Sequence, residues 1–285
     1  MKWIVVFVAV ALGSYVLSVL AIGLAFPPVE PRNPDPRDRF ADVLGSKLAY
    51  RVAEGNGPTL LLLHGFGGSL TNWEGVAGEL TKCGRVISVD LLGFGRSSRP
   101  FENYELETHR LHVLALMDEL GIDKAVLVGR SFGASLTIWT AGKTPDRILG
   151  AVAAAPSGMP GQLVARWPTG FLFRPGVSNR VADWISQSPL SALLFEYSMA
   201  RQAFGIAGSY DDRFATTAAK VEQPTLLLWS PGDDTAPFSY SEQFLRAIPQ
   251  AKLIRFPDSA GHDPISAEPE LSVRSICEFV RSLPR

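Results

Sequence analysis

Short runs with little or no polar interruption recur along this chain, and helical patterns separate them. The runs are TLLLLH at 59–64, RVISVD at 85–90, KAVLVG at 124–129, ILGAVAAAP at 148–156, PTLLLWS at 224–230 and AKLIRFP at 251–257. A strand with one face in water alternates polar and apolar residues; a strand apolar throughout is buried on both faces. Between the runs lie TNWEGVAGEL at 71–80, the long amphipathic stretch 104–120 closed by Gly121, and FGASLTIWTAGK at 132–143, all with helical character. Buried strands alternating with helices specify an α/β fold: a parallel sheet with helices on both faces. KLAYRVA at 47–53 adds an early strand.

Two stretches depart from this rhythm. Residues 3–26 carry no charge, and as a helix they span roughly 36 Å, enough for a bilayer core of roughly 30 Å. The expectation is an uncleaved transmembrane anchor over 1–26, since a signal peptide has a shorter apolar core. Lys2 lies before the span and Arg32, Arg37 and Arg39 after it. The positive-inside rule and a signal-anchor reading then point to opposite sides, so orientation stays open. Five prolines in PPVEPRNPDPRDRF make 27–40 an extended spacer, with the α/β domain over 41–285. The second departure, about 157–221, has no buried strand but many aromatics, among them Trp167, Phe171, Phe173, Trp184, Phe195, Tyr197 and Phe204. It is expected to form a small helical cap.

The formal net charge of −1 and the absence of a basic stripe argue against a nucleic-acid partner. Cys83 and Cys277 stand in no metal-like spacing, and the four histidines, 64, 109, 112 and 262, are scattered, so no metal or other cofactor is expected.

In open α/β sheets, sites form at the carboxyl ends of strands. Three candidates fall there. Ser131, in LVGRSFGAS at 127–135, sits where a strand turns into a helix between Gly129 and Gly133. A serine hydroxyl needs a base, and His262 in SAGHDP follows the run at 251–257. His109 and His112 lie on a helix and are expected on or near its exposed side; His64, before a Gly-rich loop, suits a structural role. An acid to orient the base is available at Asp233 or Asp234 in WSPGDDTAP. The order Ser, Asp, His is that of a nucleophile on such an elbow. The N–H groups of Phe132 and of Phe66, in HGFGG at 64–68, are candidate donors to an oxyanion.

These segments, with VISVDLLGFGRSS and AGHDPISAEPEL, resemble the landmark segments of the α/β-hydrolase fold superfamily over roughly 45–283, in order. The resemblance implies a mainly parallel eight-stranded sheet, a variable cap and a Ser–His–Asp triad: Ser131, His262 and, four residues before Pro237, Asp233, with Asp234 the alternative. It makes Asp90 structural and sets aside branches with an Asp nucleophile. By themselves Cys83 and Cys277 read as two free buried thiols; the resemblance adds the alternative of a disulfide, since it implies that Cys83, after the first helix, and Cys277, in the last, lie near each other on one face of the sheet. The function expected is cofactor-free hydrolysis of small carboxylic esters with apolar acyl or aromatic groups, at a membrane reached through the N-terminal helix. Carbon–carbon bond hydrolase, lactonase and haloperoxidase chemistry use the same triad, and a ligand-sensing protein is the reading from another class. Arg130, beside the nucleophile, has no assigned role and needs a partner or solvent.

Overall fold

A computed structural model describes residues 33–100, 102–162 and 199–284, together with Val10, Gly13, Ser14, Leu17, Val177 and Arg180. Among these residues one eight-stranded sheet forms, in the order β1-β2-β4-β3-β5-β6-β7-β8. The strands are β1 Arg39–Val43, β2 Ser46–Ala53, β3 Thr59–Leu63, β4 Arg85–Val89, β5 Ala125–Arg130, β6 Ile148–Ala154, β7 Thr225–Trp229 and β8 Lys252–Arg255. The β1–β2 and β2–β4 pairs are antiparallel and every other pair is parallel. The helices that matter to the site and its support are α1 Glu74–Leu80, α2 Leu106–Glu119, α3 Phe132–Lys143, α4 Ala200–Gly208, α5 Asp212–Ala218, α6 Ser241–Ala247, α7 Pro264–Ala267 and α8 Pro269–Ser282.

The apolar runs behave as their composition requires. Leu61 and Leu63 of β3 point into one core layer and Leu60 and Leu62 into the other. Successive side chains of a strand face opposite sides, so a strand covered on both sides must be apolar at every position. The first layer packs β-strand residues against α2, α3, α5 and α6, and is rich in aromatics: Phe94, Tyr104, Phe132, Trp139, Phe214, Trp229 and Phe244. The second packs Val86, Val126, Val128 and Val152 against Val76 and Leu80 of α1 and Ile276 and Val280 of α8. On that second face Cys83 and Cys277 are joined by a disulfide across a sequence separation of 194, with Cα atoms 5.4 Å apart.

Three expectations change. The first strand is β1, which begins at Arg39 within the stretch read as spacer. Leu44 and Gly45, both at positive φ, turn it tightly into β2. The spacer's end is tied to the domain: Arg51 pairs with Asp35 (2.6 Å), Asp38 (2.7 Å) and Glu74, and Arg96 with Asp38 (3.0 Å). His109 and His112 are buried, 1% and 5% exposed, because they lie on the stripe of α2 that also buries Leu106, Val113 and Leu116.

Of the expected cap, 199–221 is mainly helical, α4 and α5, while 157–162 is turn and irregular chain; Phe204 is fully buried. The other aromatics singled out for that region lie outside the described residues, as does the expected span over 1–26 apart from four single positions. Among the described residues no helix is long and apolar enough to cross a membrane.

Candidate active site

Ser131 follows β5 directly and precedes α3, at φ 50°, ψ −119°. A non-glycine residue rarely adopts positive φ, and such strain persists only where the surroundings impose it. Here Ser131 N–H donates to the Ala154 carbonyl of β6 (2.8 Å), and Ser135 N–H of α3 donates to the Ser131 carbonyl (3.0 Å). The flanking glycines are sterically required. A Cβ on Gly129 would lie 2.1 Å from the Gly133 oxygen, and one on Gly133 would lie 2.1 Å from the Leu63 oxygen. The turn therefore closes only if both positions lack a side chain.

His262 approaches from the loop after β8. Its Nε2 lies 2.9 Å from Ser131 Oγ, and its Nδ1 lies 2.8 Å from Asp233 Oδ2. Asp233 comes from the loop after β7, and its side chain is fully buried. Its other oxygen, Oδ1, accepts the backbone N–H groups of Thr235 (2.9 Å) and Ala236 (2.8 Å). Both carboxylate oxygens are thus occupied, which fixes the rotamer and suits a buried charge. Asp234 is exposed and meets only the Thr235 hydroxyl, at 3.3 Å. With a carboxylate at Nδ1, that nitrogen carries the proton, and Nε2 is left as the acceptor facing Ser131.

The loop 64–68 lies against Ser131. A Cβ on Gly65 would fall 3.2 Å from Ser131 Cβ, tighter than ordinary contact, so glycine eases this close approach of the backbone. His64 anchors the loop: its Nδ1 meets the Gly65 carbonyl at 2.7 Å, and its Nε2 accepts the Leu91 N–H at 3.0 Å. Burial lowers its pKa from 6.5 to about 4, so it stays neutral and can make both bonds at once. Asp90 is structural in the same way, accepting the N–H groups of Leu70 (2.6 Å) and Arg96 (2.8 Å). A Cβ on Gly95 would collide with that carboxylate.

Phe132 opens α3, and the first N–H groups of a helix have no partner within it. With Phe66 it lines a cavity of about 260 Å³ that opens at Ser131. The rest of its wall includes Ile206 and Ala207 of α4, Tyr210, Thr235 and Tyr240, and among the described residues none that lines it is charged. Burial pushes the Tyr210 phenol well up, so it remains a neutral donor. Among the described residues no group of three His, Cys, Asp or Glu side chains could hold a metal ion.

Ser131, Asp233 and His262 thus meet at the carboxyl ends of β5, β7 and β8, with Phe66 and Phe132 beside them. The sequence reading missed what holds them: the Thr235 and Ala236 amides on Asp233, foreshadowed by an Asp-x-Thr turn signal, and the partner of Arg130. That partner is Asp263, 2.5 Å from Nη2.

The alpha/beta hydrolase fold profile matches residues 58–200, half of the chain. The AB hydrolase superfamily protein YisY of Bacillus subtilis is 31% identical over 257 residues, covering 80% of this chain and 93% of that protein. Two longer relatives are dihydrolipoyllysine-residue acetyltransferase components of acetoin cleaving systems, from Pseudomonas putida (29% identical) and Cupriavidus necator (28%). The matches take in 80% and 79% of this chain, which spans 65% and 64% of their length. Among solved structures, an enol-lactonase from Burkholderia xenovorans LB400 shares the fold at 23% identity. Its TM-score is 0.69, over 86% of this chain and 100% of that one. A membrane phospholipase A described as a bacterial virulence factor is 26% identical, with a TM-score of 0.69 over 99% of this chain and 100% of its own. Matched by the family profile and by a relative covered almost end to end, the chain belongs to the alpha/beta hydrolase fold family.

Proposed function

We propose that the protein is a serine hydrolase that cleaves carboxylic esters of apolar acyl or aromatic substrates through an acyl-enzyme. The observation that carries this reading is the unbroken chain Asp233–His262–Ser131, with Nδ1 and Nε2 at 2.8 and 2.9 Å from their partners, at a cavity whose described lining carries no charge. Ser131 Oγ attacks the ester carbonyl while His262 Nε2 takes its proton. Asp233 holds the imidazole in the required tautomer and stabilises the cation that forms. The developing oxyanion is received by the N–H groups of Phe66 and Phe132, worth several kcal/mol in a dry site. His262 then protonates the leaving alcohol and activates the water that releases the acid. No cofactor enters these steps.

The described wall offers no counter-ion to a charged acyl group, while Phe66, Phe132, Ala203, Ile206 and Ala207 give an apolar one surface to bury against. The apolar run at 3–26 and the end-to-end likeness to a membrane phospholipase A support a lipid-like ester as substrate and a lipid surface as the place of work. The Cys83–Cys277 disulfide supports a domain on the oxidising side of that membrane, since such bonds persist outside the reducing cytosol.

A panel of p-nitrophenyl esters of increasing acyl length, run beside a fluorophosphonate probe, tests the reading. Wild type is expected to label and to turn over one range of lengths, and Ser131→Ala to do neither. Labelling that survives in Ser131→Ala overturns the nucleophile. Labelling of Ser131 with no turnover of any ester overturns the ester reading and leaves the other bonds served by the same triad.

A further inference from the structure

Within LVGRSFGAS, Arg130 is the side chain the proposed chemistry does not use. It is the last residue of β5, one position before Ser131, and its side chain is only 17% exposed. Its Nη2 lies 2.5 Å from Asp263 Oδ2, and its Nη1 donates to Ser266 Oγ at 3.4 Å. Asp263 is one position after His262. The ion pair therefore runs alongside the Ser131–His262 hydrogen bond, joining the same two loops one residue further out on each.

Asp263 is itself fixed. Its Oδ1 caps α7 by accepting the Ser266 N–H (3.2 Å), and its carbonyl accepts the Ala267 N–H (3.0 Å). On the other side of His262 stands Gly261, at φ +56°, with no atom within 4 Å of where its Cβ would be. The base is thus carried between an open glycine and a capped helix start, and Arg130 ties that helix start to the strand bearing the nucleophile. A guanidinium with one carboxylate and one hydroxyl in its fork fixes direction as well as distance.

We propose that Arg130 and Asp263 form a clamp that sets the approach of His262 to Ser131, which makes Arg130 a positioning residue; this rests on the serine-hydrolase reading above. A displacement of 1 Å at a reacting pair can cost about 100-fold.

The test uses the full chain with R130Q, D263N, the R130Q/D263N double variant and R130K. The readouts are kcat and KM on the best neutral p-nitrophenyl ester, and the thermal midpoint. The clamp predicts that R130Q and D263N each lower kcat by about 10- to 100-fold with KM within about threefold. The double variant is expected to equal the worse single variant, since both remove one interaction. R130K is expected to recover part of the loss. If R130Q does not fold, D263N breaks the clamp from the other loop and R130K weakens it, and the same expectations apply to both. Folded R130Q or D263N with kcat within about twofold of wild type overturns the proposal, as do single effects that multiply in the double variant. Recovery of wild-type kcat in the double variant also overturns it, because charge balance rather than geometry would then be at work. The two readings fail separately. Activity in Ser131→Ala removes the serine chemistry and the clamp with it, whereas an inactive Ser131→Ala beside an unimpaired R130Q removes the clamp alone.

Discussion

Two histidines of the molecule, His262 and His109, sit in contrasting settings, from which opposite chemistry is expected. At the carboxyl edge of the sheet, His262 has a partner on each ring nitrogen and its side chain is 26% exposed. In the aromatic layer, His109 is sealed among Phe94, Tyr104 and Phe132, its ring 4.9 Å from that of Phe132. Among the described residues neither of its nitrogens has a hydrogen-bond partner, and burial lowers its pKa from 6.5 to about 3. The contrast teaches that burial by itself makes a histidine inert. Reactivity needs a carboxylate on one nitrogen, a nucleophile on the other, and an opening to the substrate.

The sharpest way to break this comparison is to remove each histidine in turn. His262→Ala is expected to lower kcat/KM by about 10⁴-fold or more while leaving the thermal midpoint within a few degrees. His109→Leu is expected to leave kcat/KM within about threefold at pH 8. Comparable losses in the two variants would erase the distinction. The carboxylates make the next, somewhat smaller test. Asp233→Asn, which upsets the tautomer of His262, is expected to cost about 10³- to 10⁴-fold in kcat. Asp234→Asn, which alters an exposed side chain, is expected to stay within about threefold. Steady-state kinetics on the same ester decide both.

The site was more legible in the sequence than its surroundings, for a physical reason. Ser131, Asp233 and His262 each lie at or beyond the carboxyl end of a parallel strand, β5, β7 or β8, and those ends share one edge, so position alone brings them together. The fold was legible on the same ground: the strand runs quoted from the sequence match β2 to β8 to within a few residues at each end. β1 was not, because RFADV buries only Ala41 and Val43 and follows a proline-rich stretch. The burial of His109 had a signal that polarity concealed: Leu106, Val113 and Leu116 mark the stripe on which it lies. Arg130 had none, since its pairing with Asp263 depends on how two distant loops meet.

The second face of the sheet sharpens the comparison from outside the site. There the layer is mostly aliphatic and is crossed by the Cys83–Cys277 disulfide, which ties α1's end to α8. Cross-linking so distant a pair restricts the unfolded chain greatly, and its loss is expected to cost about 2–5 kcal/mol. The Cys83→Ser/Cys277→Ser double variant should therefore show a lower urea midpoint with kcat within about threefold of wild type. Reductant should lower the midpoint of wild type and not that of the variant. An equal response of both proteins to reductant would show that the bond adds no stability.

The smallest expected effect isolates the inert histidine. A group whose folded pKa lies below its unfolded value of 6.5 binds fewer protons in the native state between those two values. Stability from keeping His109 neutral is then complete above about pH 6.5 and declines as pH falls toward the folded value of about 3. His64 contributes in the same direction, from 6.5 down to about 4, and cannot be replaced without releasing the loop beside Ser131. His109 can be replaced, because it makes no hydrogen bond that Leu would lose. Across pH 4–6, His109→Leu should flatten the rise of unfolding free energy with pH by up to about 1.4 kcal/mol per pH unit. Urea titrations at each pH measure that slope. An unchanged slope would mean that His109 titrates alike in the folded and unfolded chains, and that the aromatic layer does not set it apart from His262.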